Sequence, residues 1–158
     1  MLSQEQIAHI SKQTVALAQQ QVAQGGLPFS SIIVDQQGNI VGEGINQVAE
    51  SHDCTAHAEI QAIRAASQQL GRTDLSGATL FASGEPCGLC YMAIRLAKIS
   101  HVQILLDRHE VKQLGFDYLW TYQAQDTTRL YTKVESLPEA LKVAPFVACR
   151  KGLDAIGL

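Results

Sequence analysis

Apolar positions change their period several times along this chain. Over residues 3–24, Ile7, Ile10, Val15, Leu17 and Val22 recur at spacings close to a helical turn. Ser3 with Gln6 makes a capping-box pair at the start, and Gly25-Gly26 ends the run. Pro28 and Phe29 then lead into residues 30–34, a short β-branched run that predicts a strand. Asp35-Gln36-Gln37-Gly38-Asn39 is turn chemistry, and residues 40–45 return as a second strand, so the two predict a hairpin. Residues 46–56 show no period and are expected to form a loop. From residue 57 to 70 the pattern is helical again, rich in alanine and closed by Gly71. Residues 78–82 predict a third strand, broken by Ser83-Gly84-Glu85-Pro86. Residues 87–98 predict a helix with Pro86 at its start, where a missing N–H costs nothing. Residues 101–106 predict a fourth strand. Shorter helical patterns follow over 108–114, 117–125 and 138–143.

Strands that alternate with helices after an initial hairpin imply parallel crossovers. The expected fold class is therefore α/β, a three-layer α/β/α arrangement around a central mixed sheet. A chain of 158 residues suits a single domain. No repeat or linker divides it, so residues 1–158 are expected to form one domain, with 126–158 as a C-terminal helical extension. A domain of this size buries about 70% of its unfolded surface and needs no metal or disulfide merely to fold.

The net charge of −3 argues against a broad basic face, so nucleic acid is not the expected partner. No apolar run reaches the roughly 20 residues of a membrane span. The N-terminal residues lack the basic start and apolar core of a signal peptide. A cytoplasmic location without a membrane partner is the expectation. There the four cysteines are thiols or metal ligands rather than disulfides.

Two short motifs carry the candidate chemistry: His57-Ala58-Glu59 and Pro86-Cys87-Gly88-Leu89-Cys90. Each opens a predicted helix. Catalytic Zn²⁺ takes three protein ligands and keeps a fourth position for water. His57, Cys87 and Cys90 supply three. Cys54 and Cys149 are isolated and make no second Cys-x-x-Cys pair, which argues against a four-ligand structural site. Cys87 and Cys90 stand three apart on one helix face, in a first turn whose dipole favours thiolates. Two thiolates and an imidazole leave the metal site formally neutral, so bound water needs a nearby base. Glu59 is the candidate, acting as acid and base but not as a ligand.

The two motifs together resemble the zinc signature of nucleobase deaminases, and the chain is identified as a member of the cytidine deaminase-like superfamily. Within it, residues 55–64 (Thr-Ala-His-Ala-Glu-Ile-Gln-Ala-Ile-Arg) resemble bacterial guanine deaminases and tRNA adenosine deaminases. The resemblance spans roughly residues 1–125 and implies the cytidine deaminase-like fold, Zn²⁺ as cofactor and a homodimer. It further implies that Asn46 hydrogen-bonds the base. Leu114-Gly115-Phe116-Asp117 resembles a guanine-deaminase segment that usually ends Gly-Phe-Asp-Asp; Tyr118 stands at its last position. Asp117 and Tyr118 are carried forward as base contacts. Phe29 is a further candidate for shaping the pocket, whereas Trp120 and Tyr122 are expected in the core or at a dimer contact.

The function expected is hydrolytic deamination of a free aminated nucleobase, guanine or a related aminopurine or aminotriazine, with release of ammonia. The alternatives are a tRNA adenosine deaminase, a cytosine or nucleoside deaminase, and an inactive zinc-stabilised interaction module.

Overall fold

Strand β1 (Ser30–Val34) is buried along its whole length, which requires apolar cover on both faces of its sheet. Alternation along the strands supplies it. Ile33, with Leu80 and Ala82, joins a cluster containing Ala62, Ala66 and Ile94. Ile32 and Val34, with Phe81, pack on the other face against Ile10. The structure is a computed structural model that describes residues 1–124 and 130–158. The chain divides into two units, Met1–Gln125 and Asp126–Leu158.

In the first unit, β1 lies between β2 (Ile40–Ile45) and β3 (Thr79–Gly84), antiparallel to both. β3 pairs in parallel with β4 (His101–Leu106), giving a mixed sheet of order β2-β1-β3-β4. Helix α1 (Gln4–Ala23) covers one face. Helices α3 (Ala58–Leu70) and α4 (Gly88–Leu96) cover the other. One-turn α2 (Val48–Ser51), α5 (Arg108–Gln113) and a 3-10 turn (Leu119–Tyr122) complete this unit. The second unit holds α6 (Glu139–Ala155).

Two buried serines sit in β1 without leaving a polar group stranded. Ser30 Oγ donates to the Thr14 carbonyl at 2.6 Å and Ser31 Oγ to the Phe81 carbonyl at 2.9 Å. Glycine in β2 has a different purpose. A Cβ at Gly42 would lie 2.5 Å from the Ala62 carbonyl oxygen, and one at Gly44 would overlap that of Ala58. The bare backbone of β2 lets the first turns of α3 lie directly on the sheet, and those turns carry the His57 motif.

The mixed sheet with helices on both faces agrees with the expected three-layer class. Several boundaries differ. α2 occupies part of the expected 46–56 loop; one turn is too short to leave a period. β3 continues through Ser83 and Gly84, because Gly84 pairs with Leu106 and Ser83 Oγ accepts from Ser30 N. The expected 117–125 helix is only the 3-10 turn, and residue 125 lies outside the described residues. The last pattern, expected over 138–143, is the helix Glu139–Ala155, which carries Pro145 inside it.

Candidate active site

α3 and α4 each begin one residue beyond a motif residue. His57 and Cys87 are their N-caps, with extended backbone, and neither side chain caps its own helix. Both side chains are thus free to turn toward each other. Cys87 Sγ lies 3.5 Å from His57 Nδ1, Cys90 Sγ lies 3.4 Å from the same nitrogen, and the two sulfurs are 3.7 Å apart. Zn–S bonds of about 2.3 Å and a Zn–N bond of about 2.0–2.1 Å in a tetrahedral site put sulfurs about 3.8 Å apart and sulfur and nitrogen about 3.6 Å apart. The three atoms therefore stand almost where Zn²⁺ would hold them. Among the described residues, His57, Cys87 and Cys90 form the group able to hold a metal ion, leaving a tetrahedral ion one open position.

The electrostatics agree with that fit. The Cys90 thiol donates toward Cys87, and His57 adds its own hydrogen bond, drawing the Cys87 thiol down to about 4 against the cost of burial. Its donor role and its burial push Cys90 up. The hydrogen bond to Cys87 raises His57. Glu59 is 5% exposed, and burial pushes its carboxyl up despite a hydrogen bond with Cys90. A carboxylate buried beside three ligands, with its proton affinity raised, suits proton transfer.

His57, Glu59 and Cys87 line a cavity of about 250 Å³, together with Phe29, Asn46, Tyr118 and other residues. A wider groove of about 560 Å³ lies between β2 and α3, away from the metal ligands. Phe29 stands edge-on to Phe116 and Tyr118, with centroids 5.6 and 6.2 Å apart. Asn46 takes its carbonyl contact from Val48 N at 3.2 Å, and among the described residues its amide NH₂ group has no partner. The buried Gln21 side chain holds the Asn46 backbone carbonyl at 3.3 Å.

The structure brings together seven of the eight residues singled out in the sequence. Asp117 stands apart from the cavity lining: it is exposed, accepts from Leu119 N at 3.1 Å and lies 3.9 Å from Lys112 Nζ. Trp120, expected in the core or at an interface, lines the cavity and is 71% exposed. Sequence reasoning also missed Thr121 and Glu85. Glu85, directly before Pro86-Cys87, was the more findable of the two. Its carboxylate accepts from Tyr91 Oη at 2.7 Å and from Arg108 N and guanidinium at 2.8 and 3.0 Å. Its carbonyl accepts from Tyr118 Oη at 2.5 Å.

A buried carboxylate beside three metal ligands, in a cavity sized for a small flat molecule, defines a metal-dependent hydrolase. A family model for the cytidine and deoxycytidylate deaminase zinc-binding region matches residues 4–106. The chain is 40% identical over 116 residues to the guanine deaminase of Bacillus subtilis strain 168, covering 73% of this chain and 74% of that one. The X-ray structure of guanine deaminase from Bacillus subtilis superposes with a TM-score of 0.81 and 34% identity, over 95% of both chains. A tRNA-specific adenosine deaminase of Streptococcus pyogenes serotype M1 is 35% identical over 133 residues, covering 84% of this chain and 75% of that one. The chain belongs to the cytidine and deoxycytidylate deaminase zinc-binding family. More particularly, it is a guanine deaminase homologue, a zinc-binding hydrolytic deaminase acting on C–N bonds.

Proposed function

We propose that this enzyme deaminates a free aminated nucleobase, guanine first among them, and releases ammonia. The observation that carries this reading is the 250 Å³ cavity itself, lined by His57, Cys87 and Glu59 together with Phe29, Tyr118 and Trp120. Its aromatic walls suit a planar ring, and Asn46, His57, Glu59, Glu85 and Thr121 supply polar side chains to orient one. Guanine is the substrate named for the Bacillus subtilis relative.

Zn²⁺ held by His57, Cys87 and Cys90 supplies a Lewis acid that makes water a stronger nucleophile. Glu59 takes a proton from the attacking water and passes protons to a ring nitrogen and to the departing amine. A C–O bond forms, the C–N bond breaks, and no electron is transferred. The Asn46 NH₂ group donates to a ring acceptor, while Phe29 and Tyr118 hold the ring plane. Asp117 takes no part in base contact and acts only through the turn that it caps. Residues 126–158 belong to the same domain as a helical extension.

Two further readings accompany this one. Free thiols at all four cysteines suit a reducing cytoplasm, and among the described residues no helix is long and apolar enough to cross a membrane. Leu89, Met92 and Leu96 expose an apolar stripe along α4, which suits a homodimer.

The test is ammonia release across guanine, adenine, cytosine, their nucleosides, ammeline and tRNA, with Glu59→Gln alongside. Guanine should give the highest kcat/KM, and Glu59→Gln should keep its zinc while losing about 10³-fold or more in kcat. Turnover confined to pyrimidines or to tRNA overturns the substrate. Substantial activity in Glu59→Gln overturns the proton carrier. Sizing chromatography of the same sample should give about twice the 17.1 kDa chain mass, and elution at that mass itself would overturn the dimer.

A further inference from the structure

The aromatic wall of the cavity rests on the metal loop. Three hydrogen bonds connect residues 118–122 with residues 85–88. Tyr118 Oη donates to the Glu85 carbonyl at 2.5 Å, and Tyr122 Oη donates to the Pro86 carbonyl at 2.5 Å. Gly88 N donates to Thr121 Oγ1 at 2.9 Å. That N–H belongs to the first residue of α4 and has no partner inside the helix. Thr121 Oγ1 in turn donates to the Tyr118 carbonyl at 2.7 Å, closing the turn on itself.

The fit at Gly88 leaves no room. A Cβ there would overlap the Thr121 carbonyl oxygen and lie 2.9 Å from the carbonyl carbon and 3.3 Å from Thr121 Cβ. Gly88 does not have positive φ, so its own backbone places no demand for glycine. Alanine would suit a helix better. The glycine is needed by the turn packed against it. Cys87 and Cys90 flank this contact, so the turn is docked on the same two residues' helix start that aims the sulfurs.

We propose that Gly88 and Thr121 are positioning residues: together they form a latch that keys the turn carrying Tyr118 and Trp120 to the metal loop. The latch sets the distance between the base-stacking wall and the reacting centre. A base is gripped only when that distance is kept, because a displaced wall loses its stacking contact with the ring.

The latch rests on the deaminase reading for its kinetic arm, but its structural arm needs no substrate. Amide exchange at residue 88 is followed by NMR on the zinc-loaded protein without base. Thr121→Val removes the acceptor, and exchange at Gly88 should quicken by about tenfold or more. KM for guanine should rise about tenfold, with kcat within about threefold and zinc still one per chain. Thr121→Ser keeps the hydroxyl and should restore both readouts. Gly88→Ala should raise KM likewise, although it favours the helix. Unchanged exchange in Thr121→Val, or unchanged KM in both Thr121→Val and Gly88→Ala, overturns the latch, as does a loss confined to kcat. Should the parent release ammonia from no base, the substrate reading fails and the exchange arm alone decides the latch.

Discussion

Glu59, Cys87 and Cys90 are buried beside the core, on two helix starts pressed against the sheet. Trp120 and Thr121 come from one short 3-10 turn and Tyr118 is its N-cap, with Trp120 largely exposed and Asp117 beside it in solvent. The first region is held by packing, through Gly44 of β2 beneath α3 and Ile94 of α4 in the main cluster. The second is held by a handful of hydroxyl and peptide hydrogen bonds and by edge contacts between aromatic rings. Each such bond is worth roughly 0.5–1.5 kcal/mol net, far less than the packing of a helix. The proposed chemistry thus falls in the more tightly packed part. The proposed base contacts fall largely in a part held by fewer and weaker interactions.

Metal removal breaks this comparison most severely. A chelator, or Cys90→Ser, should reduce turnover to background while far-ultraviolet circular dichroism stays near that of the parent, because the core is large enough to stand without the ion. Unfolding on metal loss would show that the ligands support the fold as well as the chemistry. A middle-sized effect is expected at Asn46. Asn46→Ala should raise KM about tenfold, for the loss of one hydrogen bond to the base, whereas Asp117→Ala should change KM by less than about twofold. Equal effects at the two positions would erase the distinction drawn between cavity lining and exposed turn.

The smallest effect concerns Glu85, on the seam between the regions. Burial pushes its carboxyl up, but the hydrogen bonds from Arg108 and Tyr91 outweigh this and hold it below its ordinary 4.5. A carboxyl lowered in the folded state stabilises in full above its unfolded value and loses that contribution as pH falls through the folded one. The parent should therefore melt a few degrees above Glu85→Gln at neutral pH. That difference should persist down to pH 4.5 and shrink below it. A difference that fades already between pH 7 and 5 would mean that another group holds the seam.

Much of the metal corner was legible because its information is local. His57 with Glu59, and Cys87 with Cys90, are near neighbours in sequence, and donor chemistry restricts what such residues can bind. The helix starts were legible from the change of period. That His57 and Cys87 would be N-caps with extended backbone was not, since boundaries depend on what packs against the first turn. Phe29, Asn46 and Tyr118 line the cavity. Asp117 was carried forward on its place in a resembling segment, but it is absent from the cavity lining and its carboxylate accepts from Leu119 N in solvent. Trp120 was read as packing because an aromatic residue fits a core, a dimer contact and a pocket equally well in sequence.

From its residues alone this chain determined a mixed α/β fold, a three-ligand set for zinc and the carboxylate beside it, because period and donor identity act within a few positions. The tertiary structure alone decided what wall the base would meet. Tyr118 and Tyr122 reach carbonyls 33 and 36 residues away. Every residue offers a carbonyl, so such bonds leave no mark in the order of side chains, and only the folded backbone selects which are within reach.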